Sequence, residues 1–222
     1  MTKETRGLAL IAGIYFLLFV IPHFIHFSYG NQSLRMIIPL LAYIFLALFG
    51  LYVLRYRLKE NLLWIKQHKL KSLGITLLVF LAMTLFTIAG SFLAQLGYSF
   101  FNIDQANLTN DTNIGSAMNL FPVPLLILVL GVLGPFVEEI IYRYILLNFL
   151  KKYCSAGVAI FLSSLCFAMI HVNHFTANEL LGVLPHFMSG IVFAYTYYKT
   201  DNLLFSSALN SIFIKEEGSF IC

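Results

Sequence analysis

In a stretch that otherwise carries no charge, residues 121–150, stand Glu138, Glu139 and Arg143, in the order Glu-Glu-Ile-Ile-Tyr-Arg. An ionised side chain near a bilayer centre costs about 2.5–3.5 kcal/mol on insertion scales, so such groups usually face a protected cavity and act there. On a helix Glu139 and Arg143 are i,i+4, the spacing at which an acid meets a downstream base. Their pairing would neutralise both and hold Arg143. Glu138 lies about 100° further round the helix and is left to face a cleft, where a carboxylate suits a general base acting on water. Some thirty residues on comes Phe167-Ala-Met-Ile-His171, a second polar group on an apolar run. His171 is placed to hold the same water, to donate to a leaving amine, or to bind a metal as a neutral imidazole.

The two elements meet only if their helices do. Lys151-Lys152-Tyr153-Cys154-Ser155-Ala156-Gly157 is a polar break between apolar runs. Folding two antiparallel helices about residue 155 places Glu138 and Glu139 level with His171, because each residue rises about 1.5 Å. Whether the faces match is a tertiary question. The competing structural reading is a buried Glu139–Arg143 pair that fixes packing, with His171 a hydrogen-bonded interfacial histidine.

Composition supplies the setting. With 59% apolar and only 11% charged residues, the chain departs from soluble domains, which carry about 25% charged residues. Runs long enough for a bilayer-spanning helix, about 20 residues, predict an all-α, polytopic membrane helical bundle of about seven transmembrane helices. The expected spans are Gly7–Phe27, Met36–Leu54, Leu73–Gly97, Phe121–Leu150, Ala156–His171, Leu180–Tyr198 and a short Leu203–Ile214. Pro122, Pro124 and Pro135 are expected to break or tilt the fourth. The first run is longer than a signal-peptide core of about 7–15 residues and lacks a small-x-small cleavage site, so it reads as a span. The chain divides into residues 1–119, the first helices and an outer loop, a helical core at 120–214, and a tail at 215–222.

The formal charge of +4 does not read as a nucleic-acid footprint. All Lys and Arg but Arg35, Arg143 and Lys215 fall on one side of the predicted spans, with Arg55, Arg57, Lys59, Lys66, Lys69 and Lys71 filling one loop. The positive-inside rule then makes the N-terminus cytoplasmic. The Tyr98–Leu120 loop, with Asp104 and Asp111 and no cation, lies outside. Cys154, Cys166 and Cys222 have no CxxC spacing and indicate neither a disulfide framework nor a thiolate zinc site.

At these residues the chain resembles the CPBP family, the CAAX proteases and bacteriocin-processing enzymes also called Abi proteins. EExxxR is matched by Glu138, Glu139 and Arg143, and FxxxH by Phe167 and His171. A looser FxxGxxxG is matched by Phe187, Gly190 and, in place of the last glycine, Ala194. The resemblance covers about residues 122–210. It implies an intramembrane endopeptidase in which Glu138 and His171 activate water, with Glu139 and Arg143 shaping the site. It leaves the mechanism open between a metalloprotease and a metal-free glutamate enzyme. A divalent metal such as zinc is a possible cofactor, with Glu138, His171, His174 and His186 as candidate ligands, although no HExxH is present. The family's last motif, HxxxN, helps to stabilise the oxyanion. Here Asn210 supplies the Asn and Ser206 stands for the His, or in a second register Ser207 and Ser211 stand for His and Asn. No register restores the histidine.

The pairs His171/His174 and His23/His26 are i,i+3 at predicted span ends, where interfacial anchoring competes with chelation. His186 lies deeper. A rhomboid-like serine site lacks its first glycine before Ser189-Gly190, and Asp104, Asp111 and Asp201 all fall in loops, against an aspartyl intramembrane protease. A proton-coupled transporter is disfavoured by the single polar cluster and the missing repeat. The expectation is therefore a multi-pass, bacterial plasma-membrane peptidase. Its partners are membrane lipid and a peptide that enters the bilayer cavity, such as a leader, a bacteriocin precursor or a lipidated tail. The rival is a catalytically impaired immunity or scaffold protein of the same fold, which the serine in the last motif favours.

Overall fold

A computed structural model describes residues 2–24, 32–105 and 117–217, apart from a few side chains near 23–35 and beyond 212. The described residues are helical throughout, with no strand. In lipid every backbone polar group must be satisfied within its own segment or a closed barrel, so an apolar chain of this kind resolves into helices.

Helix α1 covers 3–24. It starts as Lys3–Tyr15, capped by Thr2 accepting from the Thr5 amide at 3.1 Å, and passes through a π-helical turn at Phe16–Val20. Next come α2 (Gln32–Val53), α3 (Arg55–Gln67) and α4 (Lys69–Phe101). The segment α5 runs over Val123–Leu150, α6 over Ala156–Met169, α7 over Ala177–Thr200 and α8 over Leu203–Glu217. Within α7 a short Ala177–Gly182 stretch bends at Val183 into Leu184–Thr200, with Pro185 in the new first turn.

Among the described residues four segments are long and apolar enough to cross a bilayer: Met36–Val53, α4, α5 and α7. The expected count of seven is not reached by that measure. Helix α6, at 14 residues, spans about 21 Å against a hydrocarbon core of about 30 Å. The described part of α8 is similarly short. Of the four, α5 is the most enclosed by protein and α4 the least.

The expected break in the fourth span does not occur. Pro122 precedes α5 and Pro124 lies in its first turn, where a missing N–H costs nothing. Pro135 follows a π-helical turn at Val129–Leu133, and a second such turn at Ile140–Leu147 begins directly after Glu139. Proline removes one ladder bond, and the widened turn carries the helix past it.

The expected basic loop after the second span is the helix α3. It is docked on the turn between α7 and α8. Buried Asn61 accepts the Leu203 amide at 3.0 Å, its carbonyl accepts from Asn202 Nδ2 at 3.2 Å, and Arg57 bonds the Asp201 carboxylate. Asp201 itself takes the left-handed conformation that ends α7 (φ 49°). Tyr144 donates to Glu4 at 2.7 Å, and Lys151 stands over the Tyr198 ring. These contacts gather the start of α1, α3, the 151–155 turn and the 201 turn at one end of the bundle. The outer loop is shorter than expected, since α4 runs to Phe101 and closes on Asn102 (φ 58°). Asp111 and His26 lie outside the described residues.

With lipid as solvent, helices associate by close packing more than by expelling water. The axis of the bundle is therefore lined with small residues and rings. A Cβ on Gly90 of α4 would come within 2.8 Å of the Pro185 backbone of α7, and one on Gly190 within 3.0 Å of Phe167. Absence of those atoms lets α4 and α6 lie against α7. The buried core between them includes Tyr15, Leu46, Met83, Val137, Phe167 and Phe193.

Candidate functional site

The side chains of Glu138 and Glu139 both point into this core. Glu138 is 6% exposed; Glu139, Arg143 and Asn210 are 0% exposed. Asn210 reaches across from α8 and its Nδ2 donates to Glu138 Oε2 at 3.4 Å and to Glu139 Oε1 at 3.2 Å. Tyr43 on α2 donates to the other Glu138 oxygen at 3.3 Å. Glu138 is thus held by two donors from two helices, where the spacing alone left it free. The reason is tertiary: α2 and α8 flank α5 at this depth and bring polar groups that no pattern within residues 138–143 reveals.

The expected Glu139–Arg143 pair is present, with Nε and Oε2 3.4 Å apart. The geometry is that of an ion pair more than of a hydrogen bond, for all three guanidinium nitrogens are buried without a hydrogen-bond partner. Aromatic faces take up the cation instead. The guanidinium carbon lies 4.7 Å from the centre of the Phe167 ring, with Phe193 and Tyr142 within about 6 Å. Cation–π contacts of this kind are worth about 2 kcal/mol when desolvated.

Helix α6 is the neighbour of α5, as the hairpin reading requires. Ser163 Oγ donates to the Tyr142 carbonyl at 2.7 Å. That bond centres the hairpin between residues 152 and 153, not at 155, and puts Glu138 level with Phe167. His171 then lies one turn, roughly 6 Å, further from the turn. Side chains on a helix lean toward its N-terminus, so Glu138 leans away from the turn and His171 back toward it, which narrows the offset. The His171 ring folds over its own last turn with Nδ1 3.1 Å from the Phe167 carbonyl. A carbonyl only accepts, so Nδ1 carries the proton and Nε2 is the basic nitrogen of the neutral ring.

Phe167 joins the acids to the imidazoles. Its ring meets Tyr142 (centroids 5.6 Å), Phe193 (6.2 Å) and His171 (5.3 Å) as well as Arg143. Buried His186 of α7 lies beside His171 with ring centroids 4.3 Å apart and planes at 36°. His174 is exposed. Its backbone amide donates at 2.8 Å to Glu179, a buried acid in the first turn of α7. Sequence reasoning missed Glu179, although Thr176-Ala-Asn-Glu179 has the S/T-x-x-E form of a capping box. The Thr176 hydroxyl accepts the Glu179 amide accordingly. Tyr43 was missed as well, and nothing in its local sequence marks it.

A zinc centre needs three or four converging N, O or S donors. Among the described residues no three of His, Cys, Asp and Glu are gathered for one. The donor set does not fit the metal, and no step is routed through one.

On α8, Ser206 and Asn210 are i,i+4 and buried, and the Ser206 hydroxyl donates to the Leu203 carbonyl of its own helix at 3.2 Å. Asn210 at the carboxyl pair favours the register in which Ser206 stands at the position of the family's histidine. Ser211 bonds back to the Ser207 carbonyl and joins no site group. Phe187, Gly190 and Ala194 of the looser motif lie along the α6–α7 contact, with Gly190 admitting Phe167.

No curated protein and no solved structure matches the chain. Residues 120–213, which hold Glu138, Glu139, Arg143, His171 and Asn210, match the model of the type II CAAX prenyl endopeptidase Rce1-like family.

Proposed function

We propose that this protein is an intramembrane endopeptidase that cleaves a membrane-associated peptide with water activated at Glu138. The observation that carries the reading is the pair of carboxyl groups buried side by side on Asn210, with one guanidinium between them and the aromatic core. Two acids against one base is a costly balance at low dielectric, and a packing role alone needs only the ion pair.

In this reading Glu138 takes a proton of the attacking water while His171 Nε2 accepts a hydrogen bond from that water, and the proton held by Glu138 then passes to the leaving amine, directly or by way of Nε2. Tyr43 and Asn210 are positioning residues that fix both oxygens of Glu138. Arg143 holds Glu139 and fills the space behind it. An oxyanion role for Asn210 requires one of its bonds to the carboxyl pair to be released, since its Nδ2 already serves both. The gathering of Lys and Arg at one end of the bundle supports a cytoplasmic N-terminus, and the membrane in this reading is a bacterial plasma membrane. The substrate class is a leader peptide, a bacteriocin precursor or a lipidated tail.

A second reading, an impaired scaffold or immunity protein, is favoured by one observation. A serine, Ser206, stands at the histidine position, with its hydroxyl on the Leu203 carbonyl and beside Glu139, and offers no imidazole to the site. Purified wild type and Glu138→Gln, assayed on a panel of leader peptides in detergent, separate the two. The peptidase reading expects cleavage by wild type and a loss of about 10²–10⁴-fold in the variant. Cleavage by neither, with equal phenotypes in cells, would leave the scaffold.

A further inference from the structure

Where α3, α4 and α8 meet there is a groove of about 390 Å³, lined by residues remote in sequence from the carboxyl pair. Leu204, Phe205 and Ala208 of α8 form one wall, Leu73 of α4 another, and Lys66 and Lys69 stand at the rim. Both lysines are exposed. Among the described residues the ion pairs engage only Arg57 and Arg143 as cations, so no acid balances these two. Lys71 adds a third cation close by, over the Trp64 ring at 5.6 Å.

The groove sits at the basic end of the bundle, where α4 emerges from its charged first turn into its apolar run. Leu70 is 87% exposed there and Leu73 is 56% exposed. Helix α4 is the span least covered by protein, so this wall faces the surrounding bilayer. An apolar trough with two unbalanced ammonium groups at its interfacial mouth complements a molecule that is apolar along its length and anionic at one end. Its volume is at the lower end for small-molecule pockets, about 300–1,000 Å³, and suits one part of a chain whose remainder stays in the membrane.

We propose that this groove binds an anionic phospholipid of the leaflet at the basic end. Its phosphate lies on Lys66 and Lys69, and an acyl chain runs along Leu73, Leu204 and Ala208. Basic recesses between spans attract such headgroups in general. Here the lipid also packs on α8, the helix whose Asn210 holds the carboxyl pair two residues beyond Ala208. The inference rests on the membrane setting and is independent of the peptidase reading.

Native mass spectrometry of the full chain, released from micelles titrated with phosphatidylglycerol or phosphatidylcholine of matched acyl chains, tests it. Wild type should retain phosphatidylglycerol at least about tenfold more tightly. Lys66→Gln with Lys69→Gln should weaken that binding on the order of 30-fold, two contacts of the size usual at an anionic leaflet. Lys151→Gln with Lys152→Gln, at the same end of the bundle, should leave it unchanged. Ala208→Phe, which fills the trough and alters no charge, should also weaken it, with thermal unfolding verifying each fold. Equal retention of the two lipids by wild type would overturn the proposal. So would an equal loss in the two lysine doubles, or undiminished phosphatidylglycerol binding by a folded Ala208→Phe.

Discussion

Replacing Arg143 by Met probes the centre of the site with little change in volume. Wild type has Nε 3.4 Å from Glu139 Oε2, with both side chains at 0% exposure. Removing one partner of a buried pair strands the other and costs about 3–5 kcal/mol. The contact with Phe167 at 4.7 Å is lost with it, so the upper half of that range is expected. Changing Glu139 to Gln in the same chain removes the stranded charge while keeping an acceptor for Asn210. The double variant should therefore recover roughly 2 kcal/mol relative to the sum of the singles. Unfolding in mixed micelles with rising dodecyl sulfate gives these free energies. The one tryptophan, Trp64, packs edge-on against Phe205 of α8 (centroids 6.1 Å) and reports on the bundle by fluorescence. Distant, uncoupled sites add to within about 0.5 kcal/mol. Additivity of that quality between Arg143→Met and Glu139→Gln would refute the ion pair and leave Arg143 held by aromatic rings alone.

Two further perturbations follow from the packing and from the last motif. Ser206→His should raise cleavage by about 10²–10³-fold if the only defect is a missing oxyanion donor; an unchanged rate in steady-state assays would tie the loss to another cause. Gly90→Ala should destabilise by about 1–3 kcal/mol, because its Cβ meets backbone atoms of Leu184 and Pro185 at 2.8–2.9 Å. Gly131→Ala, with nothing within 4 Å of its Cβ, should be neutral or slightly stabilising. Similar losses for both in the micelle assay would show that the α4–α7 approach is not the cause.

Much of this was legible in one dimension. Runs of apolar residues mark most helices, since backbone in lipid has few alternatives. The i,i+4 spacing marks the Glu139–Arg143 pair because helical geometry is local. Lys151–Ser155 marks the hairpin turn. The hairpin register was harder: counting from residue 155 misses the π-helical turn at Ile140–Leu147, which alters the rise between Glu139 and the turn. Helix α3 was missed because it is polar and short of periodic apolar residues, and its stability comes from Asn61 and Arg57 docking on the 201 turn.

By itself the sequence determined a helical membrane chain, its basic end, and the acids, the base and the imidazole on which the proposed chemistry draws. These depend on composition and on contacts within about one helical turn, which residue order dictates. Only the tertiary structure decided that Asn210 spans both carboxyl groups, that Tyr43 orients Glu138, and that Phe167 separates Arg143 from His171. Those partners lie between 24 and 95 positions apart along the chain. At such separations side-chain meetings depend on how helices rotate and slide against one another, and small-residue packing sets that rotation.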